Sequence, residues 1–305
     1  MTINFNDQVA IVTGAGNGLG RSHALELAKR GAKLVINDLG GARDGTGGSS
    51  QAAQEVVALI KELGGDAIAN GANVANYDEV QDMVASAMDK WGRVDVLINN
   101  AGILRDKTFA KMSLEDFQAV VDVHLMGSVN CSKAVWDIMR QQNYGRIVMT
   151  TSSSGMYGNF GQANYGAAKM ALVGLMNTLV LEGKKYGINV NTLSPTAGTR
   201  MLEDLIEDKN VMEIMSVESV TAGLITLCDS DAPNRMILCA GAGGYATTHI
   251  YETDGIFLAP DQQTPEKVRA NISGIEDAEG EEIYTAGFEQ TNKFVEKAVA
   301  YFKSL

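Results

Sequence analysis

A chain of 305 residues, 45% apolar and 20% charged, has material for a large buried core and reads as one large α/β domain with an extension. Its formal charge of −12 argues against a nucleic-acid or anionic-membrane surface, and no apolar run is long enough to span a bilayer. Three widely spaced cysteines, Cys131, Cys228 and Cys239, fit a reducing compartment and offer neither disulfide nor zinc spacing, so no metal site is expected.

The apolar run 9–12 reads as a buried parallel strand. Thr13-Gly14-Ala15-Gly16-Asn17-Gly18-Leu19-Gly20 follows, then an amphipathic helix over 21–30 ending at Gly31. Glycines in such a turn allow a tight bend, close approach of backbone to a pyrophosphate, and close helix–strand packing. The helix N-terminus adds free N–H groups and a positive dipole end. Gly14, Gly16, Asn17, Gly18, Leu19 and Gly20 are therefore candidate cofactor contacts. A second strand, 33–37, ends at Asp38, about 20 residues after the turn, where an acid bonds ribose hydroxyls and repels a 2′-phosphate. That predicts NAD over NADP. The polar, glycine-rich loop 40–50 is open to two readings, a cover over the adenosine end of the cofactor or a tolerated surface insertion.

Alternation continues with a helix over 51–63, a strand over 67–73, a helix over 77–91 and a strand over 94–98, the pattern of a doubly wound parallel sheet with helices on both faces. Asn73 and Val74, beyond the third strand, join the candidate cofactor contacts. Long, partly apolar helices are expected over 114–142 and 162–184, separated by a strand over 146–149, and self-association is expected from them. Within the second, Tyr165 and Lys169 stand four apart, so both side chains leave one helix face. A nearby ammonium favours the phenolate of a group whose ordinary pKa is about 10.

Thr13-Gly14-x-Gly16-x-Gly18-x-Gly20, Asn99-Asn100-Ala101-Gly102 and Tyr165-x-x-x-Lys169 together resemble the short-chain dehydrogenase/reductase superfamily over roughly residues 7–260. The resemblance implies a Rossmann-type sheet and a cofactor cleft buttressed by the turn Asn99-Asn100-Ala101-Gly102, with Asn99, Ala101, Gly102 and Pro195 as cofactor contacts. It implies that Ser152, thirteen residues before Tyr165, binds the substrate oxygen, with Ser153 and Ser154 as turn residues. Tyr165 would be the general acid/base, and Lys169 would both tune it and bond the nicotinamide ribose. Many members carry asparagine at the place of His124, which has two readings: support for a proton path, or a hydrogen-bonded histidine inside a helix. His23 and His249 have no partner pattern and read as structural.

His124, with Asn37-Asp38-Leu39-Gly40-Gly41, the run 101–106, the run 155–165 and Ser194-Pro195-Thr196-Ala197-Gly198-Thr199-Arg200-Met201, is similar to the (3R)-hydroxyacyl-CoA dehydrogenase unit of multifunctional β-oxidation enzymes of type 2. That implies a 3-hydroxyacyl-CoA substrate, NAD, and a homodimer or homotetramer. The chain is too short to hold the hydratase and sterol-carrier parts of the larger enzymes, so a free-standing dehydrogenase is expected.

A dehydrogenase domain over 1–260, with a substrate lid at about 196–215, and a helical extension over 261–305 complete the expected organisation. Met201, Leu202, Leu205, Ile206, Met212 and Met215 are lid candidates for an acyl groove or for plain core. Arg105, Lys107, Lys111 and Arg200 are candidates for CoA phosphates or for solvated surface charge. In the extension, Thr264-Pro265 reads as a helix start, 276–282 as an acidic linker and 288–302 as an amphipathic helix. No secretory signal is visible, and Lys303-Ser304-Leu305 has the composition but not the order of a Ser-Lys-Leu signal, so a cytoplasmic enzyme is expected. The rival readings are a dehydrogenase of hydroxysteroids or other secondary alcohols, and an NAD-binding sensor without chemistry.

Overall fold

Val9–Thr13 (β1) is buried at every residue because it runs through the middle of a sheet covered on both faces. In this computed structural model, which describes residues 2–197 and 214–304, eight strands lie in the order β3-β2-β1-β4-β5-β6-β7-β8. They are β2 (Lys33–Asn37), β3 (Ala67–Asn70), β4 (Val96–Asn99), β5 (Gly145–Thr150), β6 (Ile188–Thr196), β7 (Ile237–Gly241) and β8 (Gly244–Thr247). The pairings from β3 to β7 are all parallel, as a doubly wound sheet requires. The edge strand β8 departs from the all-parallel expectation: it pairs antiparallel with β7. The cause is local, since Ala242 (φ 49°) and Gly243 (φ 75°) form a two-residue turn that reverses the chain.

Alternation along the strands splits the core in two. Ala10, Val12, Leu34 and Ile36 meet helices α1 (Gly18–Lys29), α2 (Gln51–Glu62) and α8 (Val217–Cys228) through Ala24, Leu27, Val56, Ile60 and Leu224. Val9, Ile11 and Val35 face α3 (Tyr77–Trp91), α5 (Gly127–Gln142) and α7 (Ala163–Gly183) through Val80, Met83, Val135, Leu172 and Met176. The expected helix over 114–142 exists, but in three parts. These are α4 (Leu114–Val121), capped by the Ser113 hydroxyl on Asp116 N–H at 3.1 Å, a π-helical turn Asp122–Met126, and α5. Ser153 and Ser154, expected in a turn, open a short helix, α6 (Ser153–Tyr157), whose N-cap is Ser152.

By contacts the chain divides into two units, Met1–Thr247 and Thr248–Leu305, where the sequence set the boundary at 260. The first unit ends with β8, the last strand of the sheet. The second holds α9 (Pro265–Ala270), α10 (Ile272–Ile275) and α11 (Gly287–Lys303). Thr264 caps α9 as expected, accepting Lys267 N–H at 3.3 Å. Glu252 and Glu282 bridge as extended backbone, and Lys293 pairs with Glu252. The lid expected at 196–215 falls mostly outside the described residues, with Arg200, Met201, Leu202, Leu205, Ile206 and Met212; Met215 is described and buried.

Asp95 accepts Val9 N–H at 2.9 Å and two Arg93 donors at 2.8 Å, and it has no exposed surface. Asp95→Ala should therefore cost about 3 kcal/mol, because the β1 N–H loses its partner inside the fold. Urea titration of both proteins checks this, and a loss under about 1 kcal/mol would mean the carboxylate is not the partner of β1.

Candidate active site

The site gathers at the carboxyl ends of the parallel strands, where β1 and β4 diverge and the order of the sheet reverses. There the turns after β1 and β4 are laced together. Thr13 Oγ1 accepts the N–H of Asn100 at 3.0 Å and of Ala101 at 3.1 Å. The Asn100 amide donates back to the carbonyls of Thr13 at 2.9 Å and Gly14 at 3.0 Å. Two of the glycines are required by this closeness. Gly14 sits at φ +62°, and a Cβ on Gly20 would stand 2.2 Å from Gly14 O.

α1 begins at Gly18, inside the glycine turn and three residues earlier than expected, and the Asn17 side chain makes no capping bond. Its first N–H groups thus open onto a shallow cradle, and a Cβ on Gly18 would meet nothing within 4 Å. Asp38, at the end of β2, is held in place. Its carboxylate accepts Gly16 N–H at 2.7 Å and Gly40 N–H at 2.7 Å. Asn73 and Val74 lie beyond β3: Asn73 accepts Ala75 N–H at 3.0 Å, and Val74 O accepts from Asn130 at 2.9 Å. Asn99 is buried, donates to Ser132 at 3.3 Å, and leaves its Oδ1 without a partner. Pro195 lies within β6, paired with Ala240. An uncapped helix end with a fixed acid beyond the neighbouring strand suits a pyrophosphate and a ribose diol.

Ser152, Tyr165 and Lys169 come together. Ser152 follows β5, and its hydroxyl accepts Ser154 N–H at 3.2 Å. Tyr165 and Lys169 lie on α7, with Lys169 Nζ 5.5 Å from the Tyr165 ring centre. Burial pushes the Tyr165 phenol above its usual range; a hydrogen bond from Ser152 opposes this, and the Asp106 carboxylate adds to it. Burial outweighs any lowering of the phenol within the chain itself. Burial also acts on the Lys169 ammonium, which falls to about 7 and donates to Thr150 O. Asn164, which the sequence reading missed, is fully buried. Its Oδ1 accepts Tyr165 N–H at 2.7 Å, and its amide donates to Arg105 O at 3.0 Å. Its place beside Tyr165 in the first turn of α7 was the available signal.

His124 sits in the π turn, buried, with its ring edge-on to Tyr165 at 5.2 Å between centres. Its Nε2 lies 2.8 Å from Ile103 O and 3.1 Å from Ile103 N, so either tautomer finds a partner there. Burial first, and then the Lys169 charge, hold it down at about 3, so it stays neutral through the working range. Nδ1 has no partner. A Cβ on Gly102 would stand 2.3 Å from His124 Cε1, so this histidine and that glycine fit each other. His23 is a core residue whose Nδ1 meets Thr221 Oγ1 at 2.8 Å; His249 packs edge-on to Tyr251. Arg105 and Lys107, candidates for CoA phosphates, both pair with Asp116, at 3.2 and 3.0 Å.

Fold, glycine cradle and the Ser152–Tyr165–Lys169 group define a dehydrogenase of the short-chain type. The chain belongs to that family: the model for short chain dehydrogenases matches residues 8–210. It is an oxidoreductase acting on CH–OH groups. It is 45% identical to peroxisomal multifunctional enzyme A of Dictyostelium discoideum over 96% of this chain and 65% of that protein. It is 48% identical to a 3-oxoacyl-[acyl-carrier-protein] reductase of Synechocystis sp. over 81% of this chain and 96% of the other. Full-length peroxisomal multifunctional enzyme type 2 from Drosophila melanogaster superposes with a TM-score of 0.81 at 35% identity, over 96% of this chain and 50% of that one. The chain thus spans between half and two thirds of these two multifunctional proteins.

Gly102→Ala should destabilise by about 1–3 kcal/mol through overpacking. Adding His124→Ala should recover part of that loss, so the double variant is more stable than the sum of the two singles. Simple additivity in denaturant melts would show that the two residues do not touch.

Lys169 yields a pH prediction. Between about 7 and its ordinary 10.5, the unfolded chain binds this proton and the folded chain does not. Its contribution to stability therefore rises with pH across that window. The Tm of nucleotide-free protein should gain from this between about pH 7 and pH 9, and Lys169→Met should flatten the gain. Parallel slopes in the two proteins would contradict the buried ammonium.

Proposed function

We propose that this protein interconverts (3R)-3-hydroxyacyl-CoA and 3-ketoacyl-CoA with NAD. The observation that carries the reading is the joint placement of Ser152, Tyr165 and Lys169 beside a glycine cradle whose neighbouring strand ends in Asp38. The names of the relatives support the substrate class, since one is a 3-oxoacyl-[acyl-carrier-protein] reductase and the others are multifunctional peroxisomal enzymes. Gly14, Gly16 and the first N–H groups of α1 would hold the pyrophosphate, and Asp38 the adenosine ribose. A carboxylate tied to Gly16 and Gly40 is poorly placed to accept a 2′-phosphate, which favours NAD over NADP. When bound, NAD supplies the hydride acceptor and a positive ring.

Ser152 donates to or accepts from the 3-oxygen, fixing it against Tyr165. In oxidation Tyr165 takes the hydroxyl proton; in reduction it returns one to the carbonyl oxygen. Burial holds Tyr165 and Lys169 toward their neutral forms, so the positive ring of a bound NAD would favour the phenolate, and Lys169 would bond the nicotinamide ribose. Self-association as a homodimer or homotetramer belongs to the same reading, supported by Met170 and Leu181, apolar residues that α7 leaves exposed.

The deciding experiment follows NADH formation from separate (3R)- and (3S)-hydroxyacyl-CoA of several chain lengths, with NADP in parallel. Turnover of the R series alone with NAD is expected. Turnover of steroid alcohols but no acyl thioester would move the substrate, and NADH binding without any turnover would favour a sensor. Tyr165→Phe should lose about 10²–10⁴-fold in kcat while its Kd for NADH stays within about twofold. Near-normal turnover would overturn the role of Tyr165.

A further inference from the structure

Residues 103–107 run between the two halves of the site. On one side stands the loop 40–49. It starts where Gly40 N–H donates to Asp38 Oδ1 at 2.7 Å, and closes where Ser49 N–H donates to Leu39 O at 2.9 Å. Gly40, Gly45 and Gly47 all have positive φ, and most of the loop is exposed. Such a segment has little apolar contact to hold it, so its tethers decide its position. Two of the tethers come from the 103–107 strip. Leu104 N–H donates to Arg43 O at 3.0 Å, and Arg105 Nε donates to Asp44 O at 3.0 Å.

The rest of Arg105 reaches α4 through its guanidinium and α7 through its carbonyl. A second guanidinium N–H donates to Asp116 Oδ1 at 3.2 Å, in the first turn of α4. Asp116 is itself held, by Lys107 Nζ on Oδ2 at 3.0 Å and by the Ser113 cap on its N–H. The Arg105 carbonyl accepts from Asn164, which in turn accepts Tyr165 N–H. Hydrogen bonds, together with the loop backbone from Gly40 to Asp44, thus join Asp38 to Tyr165 through Arg105 and Asn164.

We propose that Arg105 is a positioning residue that ties the loop 40–49, as a cover over the adenosine end of the cofactor, to the helices that carry the substrate chemistry. This rests on reading the glycine cradle and Asp38 as the NAD site. It assigns Arg105 a part other than reception of a CoA phosphate, since an incoming phosphate would compete with Asp116 for the guanidinium. It also selects between the two readings of the loop. Substituting the side chain removes one of the two tethers and leaves the Leu104 N–H on Arg43 O and the carbonyl that supports Asn164, so the effect belongs to nucleotide residence rather than to the fold of α7.

The test uses the full chain and NADH in two measurements that need no substrate. Stopped-flow displacement gives the NADH dissociation rate, and limited trypsin digestion reads cleavage after Arg43, which is exposed in the loop. In the wild type, NADH should slow cleavage after Arg43. In Arg105→Gln, NADH should leave about five- to tenfold faster and protect Arg43 far less, with Arg105→Lys between the two. Equal dissociation and equal protection in wild type and Arg105→Gln would overturn the proposal. If Arg105→Gln does not fold, Asp116→Asn should shift both readouts the same way by a smaller factor, and no shift there overturns it equally. Failure of the wild type to bind NADH would instead sink the cofactor reading beneath it.

Discussion

The lacing of the β1 turn to the β4 turn is the constraint on which the site depends. One hydroxyl, Thr13 Oγ1, and one amide, on Asn100, hold two diverging backbones together beyond the ladder of β1 and β4. That closeness excludes side chains at Gly14 and Gly20, draws α1 back into the glycine turn, and leaves its first N–H groups facing outward. From there the order propagates. Ala101 and Gly102 are set by the same turn, Gly102 admits the His124 ring, and the ring lies edge-on to Tyr165. The glycine cradle and the Ser152–Tyr165–Lys169 group share one scaffold.

Burial sets the electrostatics of the group more than pairing does. Tyr165, Lys169 and His124 are each pushed toward their neutral forms, chiefly by desolvation. A site of neutral, desolvated groups responds strongly to a charge brought into it, because a low-dielectric surrounding screens that charge weakly. The phenolate proposed at Tyr165 would then be a property of the assembled complex rather than of two residues one helical turn apart. This is why four-residue spacing reveals the pair but not its pKa.

Where periodicity and turn chemistry agreed, the elements were legible: β2 and α3 have the limits read from sequence, and the first half of the sheet follows. Beyond β5 the sheet was not legible. β6 contains Asn189, Asn191 and Pro195, which argue against a central strand. It is nevertheless central because both asparagines find backbone carbonyls, Asn189 at Ala232 and Asn191 at Pro233. Such pairing is long-range and leaves no mark on local pattern. In the site, the glycine turn and Asp38 were readable from residue spacing. Ser152 came only through resemblance, and Asn164 and Thr13 went unread because their work is to hold backbone. The uniform helical pattern over 114–142 also hid the π turn.

That π turn has an arithmetic consequence. A π turn carries one residue more than the α turn it replaces, so α4 and α5 lie on one axis but out of phase. Deleting a single residue from 122–126 would restore regular winding and swing everything beyond it by about 100° around the axis. The buried face of α5, with Cys131, Val135 and Met139, would then no longer meet the sheet while His124 aimed at Ile103. Chain length in this stretch is thus quantised: substitutions are open to it, but a one-residue change in length forces a choice between the core of α5 and the orientation of its histidine.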